Sequence, residues 1–305
     1  MMKKFLSISV MLTIAHVSLS QLPTLASGSL DRIANFPSQY VTERNVDVWL
    51  PDGYDSTAAY PVLYMHDGNM LFDSTTTWNG QEWGMDEALG QLIANDEIPP
   101  CILVAIWNVP AERKPDYTPQ KPFLALPQDI RDSLYSLESY RQKLFPVAVR
   151  SDGYLKFIVN ELKPFVDSKY ATKPDRDNTF IMGSSMGGLI SMYAFMEYPE
   201  VFGGAACLST HWTLGYAPTD IIPERFRNYM IARVGLIPGR KLYMDHGTTT
   251  LDALYPPYQK LFDEALEPYG ISPTAYQSKI YEGAAHTEVD WGKRIAIPLI
   301  FLMRK

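Results

Sequence analysis

Thr179-Phe180-Ile181-Met182-Gly183-Ser184-Ser185-Met186-Gly187-Gly188-Leu189 joins an apolar strand-forming run to an apolar helix-forming run through three glycines and two serines. Gly183-x-Ser185-x-Gly187 lies at the junction. Small residues two before and two after Ser185 let a strand and the following helix turn sharply without a clash. The Ser185 hydroxyl is then lifted above the sheet, the pattern called a nucleophile elbow. Three fixed residues of average frequency match by chance about 0.1 times in such a chain, so the pentapeptide alone is modest support. Its placement carries the weight: a strand at 179–182 runs in, and a helix at 186–198, closed by Pro199, runs out. The alternative is a glycine-rich turn with no chemistry.

The flanking sequence alternates in the same way. Strands are expected at 46–50 (half of a first strand pair), 61–65, 102–107, 204–208, 241–244 and 275–281. Helical spacing appears at 83–94, 154–170, 252–266 and 286–302, with kinks expected at Pro164 and Pro298. Short apolar strands separated by helices imply a mainly parallel α/β sheet covered on both faces. Two stretches break the rhythm. Residues 108–149 carry six prolines, and 211–239 carry Trp212, Tyr216, Tyr229 and a short helix. Insertions of this length in a compact α/β domain usually build a substrate site. With no repeat and no linker, one domain is expected over 21–305.

Composition narrows the class. The chain has 305 residues, 46% hydrophobic and 20% charged, with a formal net charge of −7. Such a chain is neither disordered nor fibrous, and it lacks the basic patch that nucleic acid requires. Lys3 and Lys4 precede an apolar run ending in Ser18-Leu19-Ser20, so residues 1–20 read as an export signal cut before Gln21, or near Ala26. The run is short for a membrane anchor, and no cysteine in the first hundred residues could carry a lipid. Losing the two lysines takes the charge from −7 to −9. The apolar run at 295–303 is short as well and reads as a buried helix end. Cys101 and Cys207 lie in separate apolar runs and are expected as free buried thiols.

A serine needs a base and an orienting acid, which follow it in the order serine, acid, histidine. His16 lies in the signal, His66 and His246 lie at strand ends, and His211 opens an insertion. His286, in the small-residue turn Gly283-Ala284-Ala285-His286 between the last strand and last helix, is placed to be the base. For the acid, Asp252 reaches out from the turn beyond its strand, and Asp245 at the strand end is the alternative. The oxyanion donors are expected to be the Met186 amide, heading its helix, and the Asn69 amide after His66-Asp67-Gly68, with Gly68 as the alternative. Asp67, His211 and Trp212 are candidates for substrate contact. Trp78, Trp83, Trp107, Trp212 and Trp291 nevertheless read more as core residues than as a sugar platform.

Further motifs give the chain a wider resemblance. They are Val48-Trp49-Leu50-Pro51-Asp52-Gly53-Tyr54, Tyr60-Pro61-Val62-Leu63-Tyr64-Met65-His66-Asp67-Gly68 and Trp83-Gly84-Met85-Asp86. Gly183 to Gly188, Tyr198-Pro199-Glu200-Val201-Phe202 and Gly283 to His286 complete the set. Together they span about 42–302, and the chain resembles an esterase family of α/β-hydrolases. That family includes secreted feruloyl and acetylxylan esterases, siderophore esterases, S-formylglutathione hydrolase and mycolyltransferases. The resemblance implies the α/β-hydrolase fold and carboxylic-ester hydrolysis through an acyl-enzyme, with Ser185 as nucleophile, His286 as base and no cofactor. The glutathione-linked members carry Asp-x-Gly-x-x-Asp with the second Asp catalytic. Here two more residues intervene, which favours Asp252 and leaves Asp245 open. Acetyl or feruloyl groups on carbohydrate are the expected substrate, with a siderophore or other small ester next. An acyltransferase on the same scaffold, a metal hydrolase using His66-Asp67, Asp245-His246 and His286, and a noncatalytic carbohydrate-binding protein are the competing readings.

Overall fold

Eight strands form one sheet: β1 (Ser29–Phe36), β2 (Arg44–Leu50), β3 (Val62–His66), β4 (Ile102–Ile106), β5 (Thr179–Ser184), β6 (Gly204–Leu208), β7 (Lys241–Gly247) and β8 (Tyr276–Tyr281). Their order across the sheet is β1-β2-β4-β3-β5-β6-β7-β8. β2 runs antiparallel to both β1 and β4, and every pairing from β4 to β8 is parallel. This computed structural model describes residues 22–139, 142–215 and 220–304. The expected export signal and Tyr216 lie outside them.

The central strands β3 to β6 are buried at every position and largely apolar because both faces are covered. In β3, Val62 and Tyr64 join one core while Leu63 and Met65 join the other. In β4, Ile102, Val104 and Ile106 face the first core and Leu103 and Ala105 the second. The helix Met186–Glu197 is buried from Met186 to Met196, so its sequence is apolar all round rather than amphipathic. Met85–Ala94 and Ala296–Met303 cover the opposite face. The late apolar run thus lies in a core-facing helix. No helix among the described residues is long and apolar enough to cross a membrane. Cys101 and Cys207 are both free and buried, and burial pushes the Cys101 thiol up to about 12.

Proline acts elsewhere than expected. The kink assigned to Pro164 takes the form of a π-helical stretch, Phe157–Leu162, between α-helical Ser151–Lys156 and Lys163–Lys169. Pro164 offers no N–H to the preceding turn and crowds its carbonyls, and the wider π turn absorbs that crowding. The last helix breaks before Pro298, between Glu288–Gly292 and Ala296–Met303. Pro298 is the third residue of the second piece, where an amide has no intrahelical partner to lose. β1 pairs with β2, but its mixed polar, half-exposed sequence gave little strand signal of its own.

Parallel register brings the carboxyl ends of β3, β5, β6 and β7 to one edge: Met65 faces Met182, Ser184 faces Leu208 and Leu208 faces Asp245. In an open parallel sheet that edge is where a site forms. The first insertion becomes three short helices, Arg113–Tyr117, Gln120–Leu124 and Gln128–Ser136. Its first part, from Asn108 to Lys114, lines the cleft at this edge. The second insertion contributes His211 to the edge, whereas its helix Ile221–Ile231 lies against the core through Phe226 and Met230.

Candidate active site

Ser185 sits between β5 and its helix at φ 57°, ψ −120°, a backbone conformation that a non-glycine residue adopts only under strain. Its N–H donates to Leu208 O (2.9 Å), and His211 N–H donates to Ser185 O (3.1 Å), so the turn is held from β6 and the second insertion. The glycines are required by proximity: a Cβ on Gly183 would lie 2.8 Å from the Gly187 carbonyl carbon. Gly183→Ala is therefore expected to destabilise the fold by about 1–3 kcal/mol, read as a shift of the urea midpoint; an unchanged midpoint would contradict the tight turn.

His286 Nδ1 and Asp252 Oδ1 are 2.5 Å apart. The other oxygen of Asp252, Oδ2, accepts from the Gly247 amide (2.6 Å) and the Ser209 hydroxyl (2.6 Å). Burial alone would raise the Asp252 carboxyl, but hydrogen bonds from His286, Ser209 and Gly247 outweigh it and hold the group below the ordinary carboxylate range. Ser209 Oγ in turn accepts from Trp291 Nε1 (2.9 Å) and Arg294 (3.1 Å), so its one donor and two acceptor positions are filled. The Trp291 indole meets the His286 ring edge-on at 4.8 Å. The His286 backbone is tied down by the Thr250 hydroxyl, which accepts from its N–H (2.8 Å).

Asp245 is placed differently. It is fully buried and pairs with Arg294 (2.9 Å), with a hydrogen bond from Tyr243 Oη (3.1 Å). Burial pushes its carboxyl up, and Arg294 offsets only part of that. The two candidate acids are thus linked through Arg294 and Ser209, and Asp252 alone reaches His286.

The loop after β3 starts with Asp67 in a left-handed conformation (φ 57°, ψ 42°) and continues as a short 3₁₀ turn, Gly68–Met70. Gly68 must approach β4 closely: a Cβ there would fall 2.5 Å from the Ala105 carbonyl carbon. Met186 and Asn69 line the same cleft as Ser185. Met186 is the first residue of its helix and Asn69 the second of its 3₁₀ turn, positions where amides have no intrahelical acceptor. The Asp67 carboxylate takes a bidentate pair from Arg113 (2.8 and 2.7 Å) and a bond from the Asn108 amide (2.7 Å). It therefore braces the first insertion onto the loop after β3.

His211 lines the cleft with its Nδ1 2.7 Å from Tyr255 Oη. Burial, then the charges of Lys114, His286 and Arg113, hold its pKa well below the ordinary 6.5. Trp212 requires a correction: it does not line the cleft but is buried in the core, its ring 5.5 Å from Phe262. Apolar packing behind β6 claims it. Trp78 departs the other way, being 82% exposed at the rim of the cleft. Trp83 and Trp291 are stacked at 5.2 Å and form part of the cleft wall. The histidines and acids weighed as metal ligands are engaged separately: His66 Nδ1 with Tyr154 Oη, His246 Nδ1 with Gly247 O, Asp245 with Arg294. Among the described residues no three such groups converge.

His66 and His211 are buried and neutral, which gives a pH prediction. Burial, with Arg113 and Arg44 adding to it against Asp67, lowers His66 from 6.5 to about 3. Below 6.5 the unfolded chain takes up protons that the folded chain refuses, so stability falls with pH down to the folded pKa. Each such histidine costs about 1.4 kcal/mol per pH unit in that window. Urea unfolding at pH 5 is expected to show about 2 kcal/mol less stability than at pH 7 from His66 alone, with His211 adding a loss in the same direction. Equal stability at the two pH values would contradict the neutral burial.

The sheet order, the strained serine turn and the cleft at the carboxyl edge define an α/β-hydrolase fold. The chain belongs to the family described as "Putative esterase", whose profile matches residues 38–233. It is 24% identical over 214 residues to the endo-1,4-beta-xylanase/feruloyl esterase of Xylanibacter ruminicola, covering 68% of this chain and 25% of that protein. It is 27% identical over 164 residues to the ferri-bacillibactin esterase BesA of Bacillus subtilis, covering 51% of this chain and 50% of that one. The chain spans from a quarter to 60% of the length of the curated relatives it matches. Among solved structures, the BES protein of Bacillus cereus superposes with a TM-score of 0.66 at 16% identity, covering 93% of this chain and 99% of that one.

Ser209, Arg294 and Arg113 do not stand out in the sequence, and Trp291, expected as a core residue, is buried but also lines the cleft. Ser209 had one available signal, its position just beyond a central strand next to the elbow strand. Arg113 and Arg294 sit in segments whose course depends on tertiary contacts.

Proposed function

We propose that the protein is an exported serine esterase that hydrolyses carboxylic esters through an acyl-enzyme, its substrates being acyl groups carried on carbohydrate. The observation that carries the reading is the 2.5 Å contact between His286 and a buried, ionised Asp252, opening onto the same cleft as the strained Ser185. Ser185 Oγ attacks the ester carbonyl and its proton passes to His286 Nε2. Asp252 holds Nδ1–H in place and balances the imidazolium. The Met186 and Asn69 amides stabilise the tetrahedral oxyanion. As the intermediate collapses, His286 gives the proton to the leaving alcohol oxygen. Water, deprotonated by the same histidine, then attacks the acyl-enzyme and restores Ser185. The neutral His211 borders the cleft without adding charge to it.

Carbohydrate is favoured by the xylanase/feruloyl esterase name of the Xylanibacter ruminicola relative and by the basic-apolar N-terminus read as an export signal. The likeness to BesA favours a siderophore ester as the second reading. A panel of acetylated and feruloylated xylo-oligosaccharides, a catecholate siderophore triester and long-chain lipid esters separates them. The highest kcat/KM is expected on the sugar esters. Turnover of the siderophore or of lipid esters alone would overturn the carbohydrate assignment.

A further inference from the structure

Trp78 leaves 82% of its surface in water at the rim of the cleft. Tryptophan carries the largest apolar side chain, and burying it would stabilise the fold, so its exposure beside a cleft of about 750 Å³ calls for a cause. Its position relative to the chemistry follows from contiguity. His286 hands its proton to the leaving alcohol, so the rest of the alcohol must extend along the His286 side. Glu288, two residues beyond His286, accepts from the Asn79 amide (3.0 Å), and Asn79 follows Trp78. The same wall holds Gln81, whose buried Oε1 has no partner among the described residues. An indole face beside amide and carboxylate groups suits a ligand with a C–H face and a rim of hydroxyls.

We infer that Trp78, with Asn79, Gln81 and Glu288, forms a subsite for a sugar ring on the leaving-alcohol side of the cleft. The ring stacks on the indole, whose electron-rich face attracts polarised C–H groups, while its hydroxyls bond to the amides and carboxylate. Trp78 is then the residue that distinguishes a glycosyl alcohol from a simple one. The inference rests on the carbohydrate reading above, and its test separates the two.

Wild type, Trp78→Ala and Trp78→Phe are compared on feruloylated xylotriose and on methyl ferulate. The ratio of the two kcat/KM values is expected to fall about tenfold in Trp78→Ala, through KM, and to recover in part in Trp78→Phe. An unchanged ratio in Trp78→Ala overturns the subsite. A binding measurement needs no ester: xylotriose is expected to shield tryptophan fluorescence of Ser185→Ala from iodide, and not that of the Ser185→Ala, Trp78→Ala double variant. No shielding in the single variant also overturns it. Shielding without hydrolysis of any sugar ester would keep the subsite and reject the carbohydrate esterase activity.

Discussion

Ser185→Ala is expected to lower kcat on p-nitrophenyl acetate by about 10⁴-fold or more, with thermal unfolding unchanged. The size follows from the role: without the hydroxyl no acyl-enzyme forms, and the remaining groups can only assist direct attack by water. Stability should be untouched because, among the described residues, no hydrogen bond from the hydroxyl holds the turn. The turn is held instead by Ser185 N–H to Leu208 O and by His211 N–H to Ser185 O, both backbone bonds that alanine keeps. A variant retaining more than a tenth of the activity would remove Ser185 from the mechanism.

Asp252→Asn should cost about 10⁴-fold in kcat, and the reason lies in the bonds to the other oxygen. Gly247 N–H and the Ser209 hydroxyl both donate to Oδ2, so that position must stay an oxygen in the variant. The asparagine NH₂ is then turned towards His286 Nδ1, which must accept rather than donate. The proton moves to Nε2, the atom that should take the Ser185 proton, and the base is disabled without loss of fold. Asp245→Asn should do the reverse. Removing one partner of the buried pair with Arg294 is expected to cost about 3–5 kcal/mol of stability, while kcat per folded molecule stays within about tenfold of wild type. Urea unfolding and kcat on both variants check this. A catalytic collapse in Asp245→Asn with Asp252→Asn active would exchange the two roles.

What was legible in the sequence shares one property. The strands β3 to β7 are covered on both faces, so each carries a short apolar run, and the elbow glycines are forced by contacts within a few residues of Ser185. Asp252 and His286 could be named because chain order restricts them to the turns after β7 and β8. Choosing between Asp252 and Asp245 was another matter, since it depends on Arg294, a residue 49 positions from Asp245 in the chain. Trp212 and Trp78 show the same limit. One is buried against Phe262 and the other stands in solvent, and nothing local to either residue distinguishes them. Pro298 was read as a break by residue type alone, although its place in the first turn of a helix makes it harmless.

The central claim is that Ser185 is the nucleophile of an acyl-enzyme, and labelling tests it without a substrate having to be known. A fluorophosphonate reacts with a serine only where a base and oxyanion donors activate it. Intact mass and peptide mapping after treatment are predicted to find one adduct, on Ser185, forming in step with the loss of p-nitrophenyl acetate hydrolysis and absent from Asp252→Asn over the same interval. Full esterase activity in protein left unlabelled, or an adduct on a different residue that accompanies inactivation, would contradict it.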